Sequence, residues 1–219
     1  MNKRNYQQEL DRVLAQITAS DADPKRRPSL FLHSCCAPCS SYVLEYLSPY
    51  FSITDFFYNP NITDEAEYRK RADELQSLIA AMRERGALSG PVTFVEGRYD
   101  RERWLDAVKG MEDLPEGGER CFACYELRLR ESARMASLGG FDFFTTSLSI
   151  SPLKNAQKIN EIGERLAAQY HVTHLPSDFK KRNGYKRSIE LSREYDLYRQ
   201  NYCGCVFSRM ARERTGGQD

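Results

Sequence analysis

The chain reads as an α/β protein with a parallel sheet of about five strands, covered by helices on both faces, and a helical, basic C-terminal extension. Three observations predict this. Short apolar runs of strand length alternate with helical patterns up to Pro176, the order that builds parallel sheets. Gly, Pro, Asn and Ser punctuate the alternation. Beyond Pro176 the composition turns basic and rich in tyrosine.

In chain order, residues 5–18 form the first expected helix, because Leu10, Val13, Leu14 and Ile17 fall at the i, i+3, i+4, i+7 spacing of one buried stripe. "SDADPKRRP" ends it. "SLFLHS" is a short buried strand, and a turn containing Ser and Pro leads into the helix "SSYVLEYL". "FSITDFFYN" is the second strand. A long helix over 64–85 follows, with Tyr68, Ala72, Leu75, Ile79 and Met82 as its apolar stripe and Gly86 closing it. "PVTFVEG" is the third strand, "DRERWLDAVKG" a short helix, and "MEDLPEGGER" a polar loop that delivers "CFAC" to the start of another helix. "FDFFTTSLS", the helix "LKNAQKINEIGERLAAQY" and the strand "HVTHLP" complete the alternation. The sequence holds no internal repeat.

Composition narrows the class. The 41% hydrophobic and 29% charged residues are those of an ordinary globular protein, and no apolar run approaches the roughly 20 residues of a membrane span. The N-terminus is polar and without a secretory apolar stretch, so a reducing cytoplasm is the expected compartment and a disulfide framework is not. The net charge of +1 is unevenly spread. From Lys180 onward, ten Lys/Arg face five Asp/Glu, a balance of +5, which leaves −4 for the preceding residues. The C-terminal part is the candidate for an anionic partner.

Seven cysteines fall into three groups: Cys35, Cys36 and Cys39 after the first strand, Cys121 and Cys124 in "CFAC", and Cys203 and Cys205 in "YCGC". In a reducing compartment such clustering points to metal binding or redox chemistry. Thiolates suit iron and zinc, and four complete a tetrahedral zinc or a [4Fe-4S] cluster, so "CC" plus "CFAC" makes one full set. Neighbours in a strand point to opposite faces, so Cys35 and Cys36 can share a site only if the strand is already turning there. "CAPC" also resembles the thioredoxin-type motif, in which a helix N-terminus lowers the first thiol; that reading uses Cys36 and Cys39 and leaves the other cysteines without roles. In "CGC" a disulfide would close a small, readily reduced ring, as suits a cycling electron carrier; two further metal ligands, or one buried and one exposed thiol, are the alternatives. In an open parallel sheet, ligands sit beyond the carboxyl ends of the strands, so the three groups are expected to converge there.

"LHSCCAPCS", "GERCFACYELRL", "TTSLSISPLKN" and "SDFKKRNGYKRSIELSREYDLYRQNYCGCVFS", in this order and spacing, resemble the cobalamin-independent, QueH-type epoxyqueuosine reductases, an iron-sulfur family; the match runs from about Ser29 to Arg209. The resemblance implies a Rossmann-like layer of the adenine nucleotide alpha hydrolase type, with "HSCCAPCS" in place of the phosphate loop. It implies reduction of epoxyqueuosine to queuosine at the wobble position of tRNA. Carried over by motif, Cys35, Cys36, Cys121 and Cys124 are the [4Fe-4S] ligands and Cys203 with Cys205 the redox-active pair. Cys39 stands at a position that family members can use, sometimes with a carboxylate, for a second metal next to the cluster, such as a mononuclear iron. The units expected are residues 1–28 as an N-terminal helix and linker, 29–209 as a single catalytic domain, and 210–219 as a flexible tail. A tRNA anticodon loop and an unidentified electron donor are the partners, and a membrane is not.

Turning an epoxide into an alkene consumes two electrons and two protons, and His33, Asp178 and Tyr185 are the candidate proton donors. "KKRNGYKR" holds five positive charges about an Asn-Gly turn. It reads either as a solvated loop or as a phosphate clamp of Lys180, Lys181, Arg182, Lys186 and Arg187, with Tyr185 available to stack on a splayed-out base. Two rivals remain at this point: a thioredoxin-like oxidoreductase using Cys36 and Cys39, and a zinc-stabilised RNA-binding module.

Overall fold

The computed structural model describes residues 4–19 and 27–214. Most of "SDADPKRRP" and residues 215–219 of the expected tail lie outside them. In chain order come α1 (Tyr6–Ala19), β1 (Ser29–Ser34), α2 (Ala37–Leu47), β2 (Ser52–Phe57), α3 (Glu65–Glu84), β3 (Val92–Glu96), α4 (Arg101–Ala107), α5 (Glu119–Leu138), β4 (Phe143–Thr146), α6 (Ala156–Tyr170), β5 (Thr173–His174), α7 (Gly184–Glu194) and α8 (Val206–Arg214). The strands form one five-stranded sheet in the order β3-β2-β1-β4-β5, and every pairing is parallel. This is the expected α/β class with its Rossmann-like layer and helical C-terminal extension.

Both faces of the sheet are covered, as a parallel sheet requires. Leu30 and Leu32 of β1 and Ile53 and Phe57 of β2 pack with Leu10 and Leu14 of α1, Val43 and Leu44 of α2, and the α3 stripe Tyr68, Ala72, Leu75, Ile79 and Met82. Phe31 and Phe56 point the other way, to Leu129 and Ala133 of α5 and Ile159 and Leu166 of α6. Leu32 is completely enclosed, so cutting it to alanine would cost about 2–5 kcal/mol.

Several element ends differ from the sequence reading for identifiable reasons. α2 starts at Ala37, not Ser40, because Pro38 fits the first turn, where its missing N–H is not needed. The tail of "FDFFTTSLS" is not strand; it turns into a single 3-10 turn, Ser147–Ile150, capped by the Thr146 hydroxyl accepting from the Leu148 N–H. α6 waits until Ala156, where Asn155 caps it, and this leaves 151–155 as a loop beside the strand ends. β5 is only two residues long. α8 continues to Arg214, past residue 209.

Candidate metal and redox centre

β1 is paired with β2 on one side and β4 on the other, so the connections from β1 and β4 depart to opposite sides and a crevice opens at their carboxyl ends. β1 ends at Ser34, and the chain turns at once. Cys35 donates its N–H to the Ser147 hydroxyl after β4, at 3.4 Å. Cys36 is the N-cap of α2, in extended backbone, and Cys39 stands in the first turn of that helix. The three sulfurs lie within 4.8 Å of one another, with Cys35 and Cys36 Sγ 3.8 Å apart. These three thiols could hold a metal ion. Hydrogen bonds from Cys36 and Cys39 hold the Cys35 thiol well below its ordinary pKa. Cys36 is pushed up to about 12, as the donor to Cys35. Cys39 is raised as well, for the same reason. A thioredoxin-like pair needs the first thiol of "CAPC" held low, whereas Cys36 is raised through its hydrogen bond to Cys35.

Cys121 and Cys124 occupy the opening turns of α5. The Gly117 N–H donates to Cys121 Sγ at 3.2 Å, and burial pushes both thiols up. Cys124 packs with Cys203 and Phe207 against Trp104, Leu127 and Cys205.

Cys203, Gly204 and Cys205 precede α8, with the two sulfurs 3.5 Å apart. Gly204 has φ +107, and a Cβ there would meet Ile62 Cγ1 at 2.8 Å; only glycine lets the chain pass this close. The Cys203 carbonyl accepts from Asn61 Nδ2 and Arg71 Nη1, both at 3.4 Å. The Gly204 carbonyl accepts from the Thr63 N–H at 3.2 Å. The Cys203 thiol is held low by a hydrogen bond from Cys205, with Lys154 assisting, and Cys205 is raised correspondingly.

All seven cysteines line two adjoining clefts. One, of about 260 Å³, holds Cys35, Cys36, Cys39 and Cys203. The other, of about 30 Å³, holds Cys121, Cys124, Cys203 and Cys205. Glu116, Arg128, Leu153, Lys154 and Cys203 border both. The convergence expected of the three groups is met. Cys39 stands with Cys35 and Cys36, while Cys121 and Cys124 enter from the neighbouring cleft.

Two cations bordering both clefts escaped the sequence reading. Arg128 lies one helical turn beyond Cys124, hence on the same face. It is buried, donates to the Asn59 side-chain oxygen, and reaches His33 Nε2 at 3.3 Å. Lys154 sits in the 151–155 loop. Burial pulls its ammonium down, but the facing Cys203 and Cys35 thiolates outweigh this and hold it above the ordinary lysine value. The spacing from Cys124 would have found Arg128, and position just after a strand's carboxyl end would have found Lys154.

The candidate proton donors separate. His33 is fully enclosed, bonded through Nδ1 to Thr146 Oγ1 at 2.7 Å and through Nε2 to the Tyr58 carbonyl at 3.0 Å. Burial, then Arg128, lowers its pKa to about 3. It is a neutral brace under the crevice. Asp178 is ion-paired with Lys180 and borders a different cavity. Tyr185 is exposed and borders the larger cysteine cleft.

The basic stretch separates too. Arg182 pairs with Asp11 at 2.5 Å. Arg187 binds Glu45 and Glu194, both at 2.7 Å, joining α7 to α2. Arg182 and Asn183 adopt left-handed backbone at the expected turn, and α7 begins at Gly184. Lys181, Tyr185 and Lys186 are exposed.

Known proteins match this chain over most of its length. The family model described as "Epoxyqueuosine reductase QueH" matches residues 30–211. Proteins of that name from Streptococcus pyogenes serotype M1 and Staphylococcus epidermidis are 45% and 42% identical, each over 94% of this chain and over 78% and 87% of their own lengths. One from Thermotoga maritima is 36% identical over 84% of this chain and 92% of its own. No described helix is long and apolar enough to cross a membrane. The shared length, far beyond the cysteine motifs alone, means that this chain belongs to the epoxyqueuosine reductase QueH family.

Proposed function

We propose that this chain reduces epoxyqueuosine to queuosine at the wobble position of tRNA, with Cys35, Cys36, Cys121 and Cys124 holding a [4Fe-4S] cluster, Cys39 available to an adjacent mononuclear iron, and Cys203 with Cys205 as the redox-active pair. The observation that carries this reading is the meeting of seven cysteines, from segments far apart in the chain, at the carboxyl ends of β1 and β4. The donor set is right for iron and sulfide, being all thiol. Arg71, Arg128 and Lys154 border the clefts and suit a group whose thiolate ligands are anionic. A metal centre supplies one-electron transfer and, where a coordination position opens, polarisation of an oxygen.

The overall change removes the epoxide oxygen as water, consuming two electrons and two protons and leaving a carbon–carbon double bond. The Cys203–Cys205 dithiol can release two electrons together with two protons on closing to a disulfide, which matches the demand of one turnover. An external donor must then reduce it. Tyr185, on the rim, is suited to stack on a base entering the cleft. The thioredoxin-like and zinc-module readings are not favoured: the former leaves five cysteines idle, and neither accounts for the family.

Anaerobically purified protein is expected to be brown, with about four irons and matching sulfide, and to convert epoxyqueuosine-containing tRNA to queuosine-containing tRNA in the presence of a reductant. Colourless protein with stoichiometric zinc and no conversion would overturn the proposal.

A further inference from the structure

Across the 151–155 loop from the cysteine clefts lies a cavity of about 630 Å³ bordered by Arg4, Lys154, Lys180 and Lys181. Its acid, Asp178, is taken up by Lys180. Arg4 is held between Glu9 and Glu164, at 2.6 and 2.7 Å. Lys181 forms no ion pair among the described residues and supplies the excess positive charge, while Lys154 lines the cavity with its ammonium drawn toward the Cys203 and Cys35 thiols. Lys154 also borders both cysteine clefts. Leu153, next to it, borders the cavity and both clefts, and it is 67% exposed. A leucine so open contributes little to the core, and it crowns the ridge between a cationic hollow and the thiols.

We propose that this cavity seats the RNA phosphate next to the modified nucleotide, with Leu153 as the crest over which the base turns into the cysteine cleft. The inference rests on the tRNA reading above and adds Arg4, Lys154 and Leu153 to it. Phosphate contacts fix the register of a strand without reading sequence, apolar side chains part stacked bases, and loop bases can be splayed away from their neighbours. Within the basic stretch, the seat uses Lys180 and Lys181 and leaves Arg182 and Arg187 to their ion pairs.

The test measures binding of anaerobically purified protein to an anticodon stem-loop carrying epoxyqueuosine, and to matched RNAs in which one flanking phosphate is a neutral methylphosphonate. Lys181→Ala and one neutral linkage are each expected to weaken binding about tenfold at low salt, the combination no more than either alone, and the variant's salt slope to fall by about one. Unchanged affinity in Lys181→Ala, or multiplying losses at every linkage, overturns the seat. With 2-aminopurine beside the modified nucleotide, Leu153→Ala should lose the fluorescence rise that accompanies unstacking; an unchanged rise removes Leu153 from the proposal. Queuosine formation by the unaltered protein on the unsubstituted RNA is scored separately. Its absence defeats the reductase reading, whereas its presence with Lys181→Ala binding normally defeats the phosphate seat alone.

Discussion

Cys35, Cys36 and Cys39 sit where the central strand hands over to α2, with β1 and β2 pairing beneath them and enclosed side chains on both faces, whereas Cys203 and Cys205 lie in a stretch without regular structure, held by a handful of polar contacts and by a small apolar cluster with Trp104 and Leu127, away from the sheet. The first site inherits its geometry from the core. The second depends on Asn61, Thr63, Arg71 and Ser208, none of which belongs to the sheet. A metal seat gains from fixed sulfurs. A dithiol that must open, close and meet a donor needs a segment that can be re-formed locally, and local contacts of this kind are where such freedom lies.

The largest effect on this contrast is expected at Arg71. Its side chain is 3% exposed and bonds Glu67 at 2.6 Å while donating to the Cys203 carbonyl. Arg71→Ala leaves Glu67 without its partner and should cost about 3 kcal/mol in chemical denaturation, with the 201–205 stretch the first to lose amide protection; a loss spread evenly over the sheet would break the comparison. Gly204→Ala comes next. The left-handed backbone and the Ile62 contact together should cost about 2 kcal/mol and lower turnover while iron content stays at the unaltered level. Equal loss of iron would mean the two sites are one mechanical unit.

Ser208→Ala is a smaller step. Ser208 Oγ accepts from the Cys203 N–H at 3.3 Å and donates to Glu116 at 3.2 Å, so its removal should cost about 1 kcal/mol and loosen "CGC" relative to the loop that leads into α5. Hydrogen exchange at 203–208 reads this directly. Arg182→Ala, which loses an exposed pair with Asp11, should change thermal stability by under about 1 kcal/mol and leave RNA binding near the unaltered value, unlike Lys181→Ala. Equal loss of binding in both variants would restore the undivided clamp.

The sheet was legible because buried strands and striped helices leave periodic traces. "SLFLHS" is β1 residue for residue, and the α3 stripe packs as its spacing requires. The start of α2 was missed because Pro38 looks like a turn residue and is equally at home in a first helical turn. The cysteine groups were legible from their chemistry and from the rule that ligands gather at strand ends. The sorting of "KKRNGYKR" was not, since the acids that claim Arg182 and Arg187, Asp11 and Glu45, lie 171 and 142 residues away in the chain. Arg128 and Lys154 were overlooked because a lone basic residue makes no pattern of its own; only their placement, one helical turn past Cys124 and in the loop after β4, pointed to them.

The account rests on a core-built metal seat and a separately tethered dithiol, and the direct measurement is iron and sulfide content beside queuosine formation in Cys203→Ser protein purified without oxygen. Iron and sulfide equal to those of the unaltered protein, with queuosine formation lost, are the predicted result. Loss of iron together with activity would make Cys203 part of the metal seat and contradict the division.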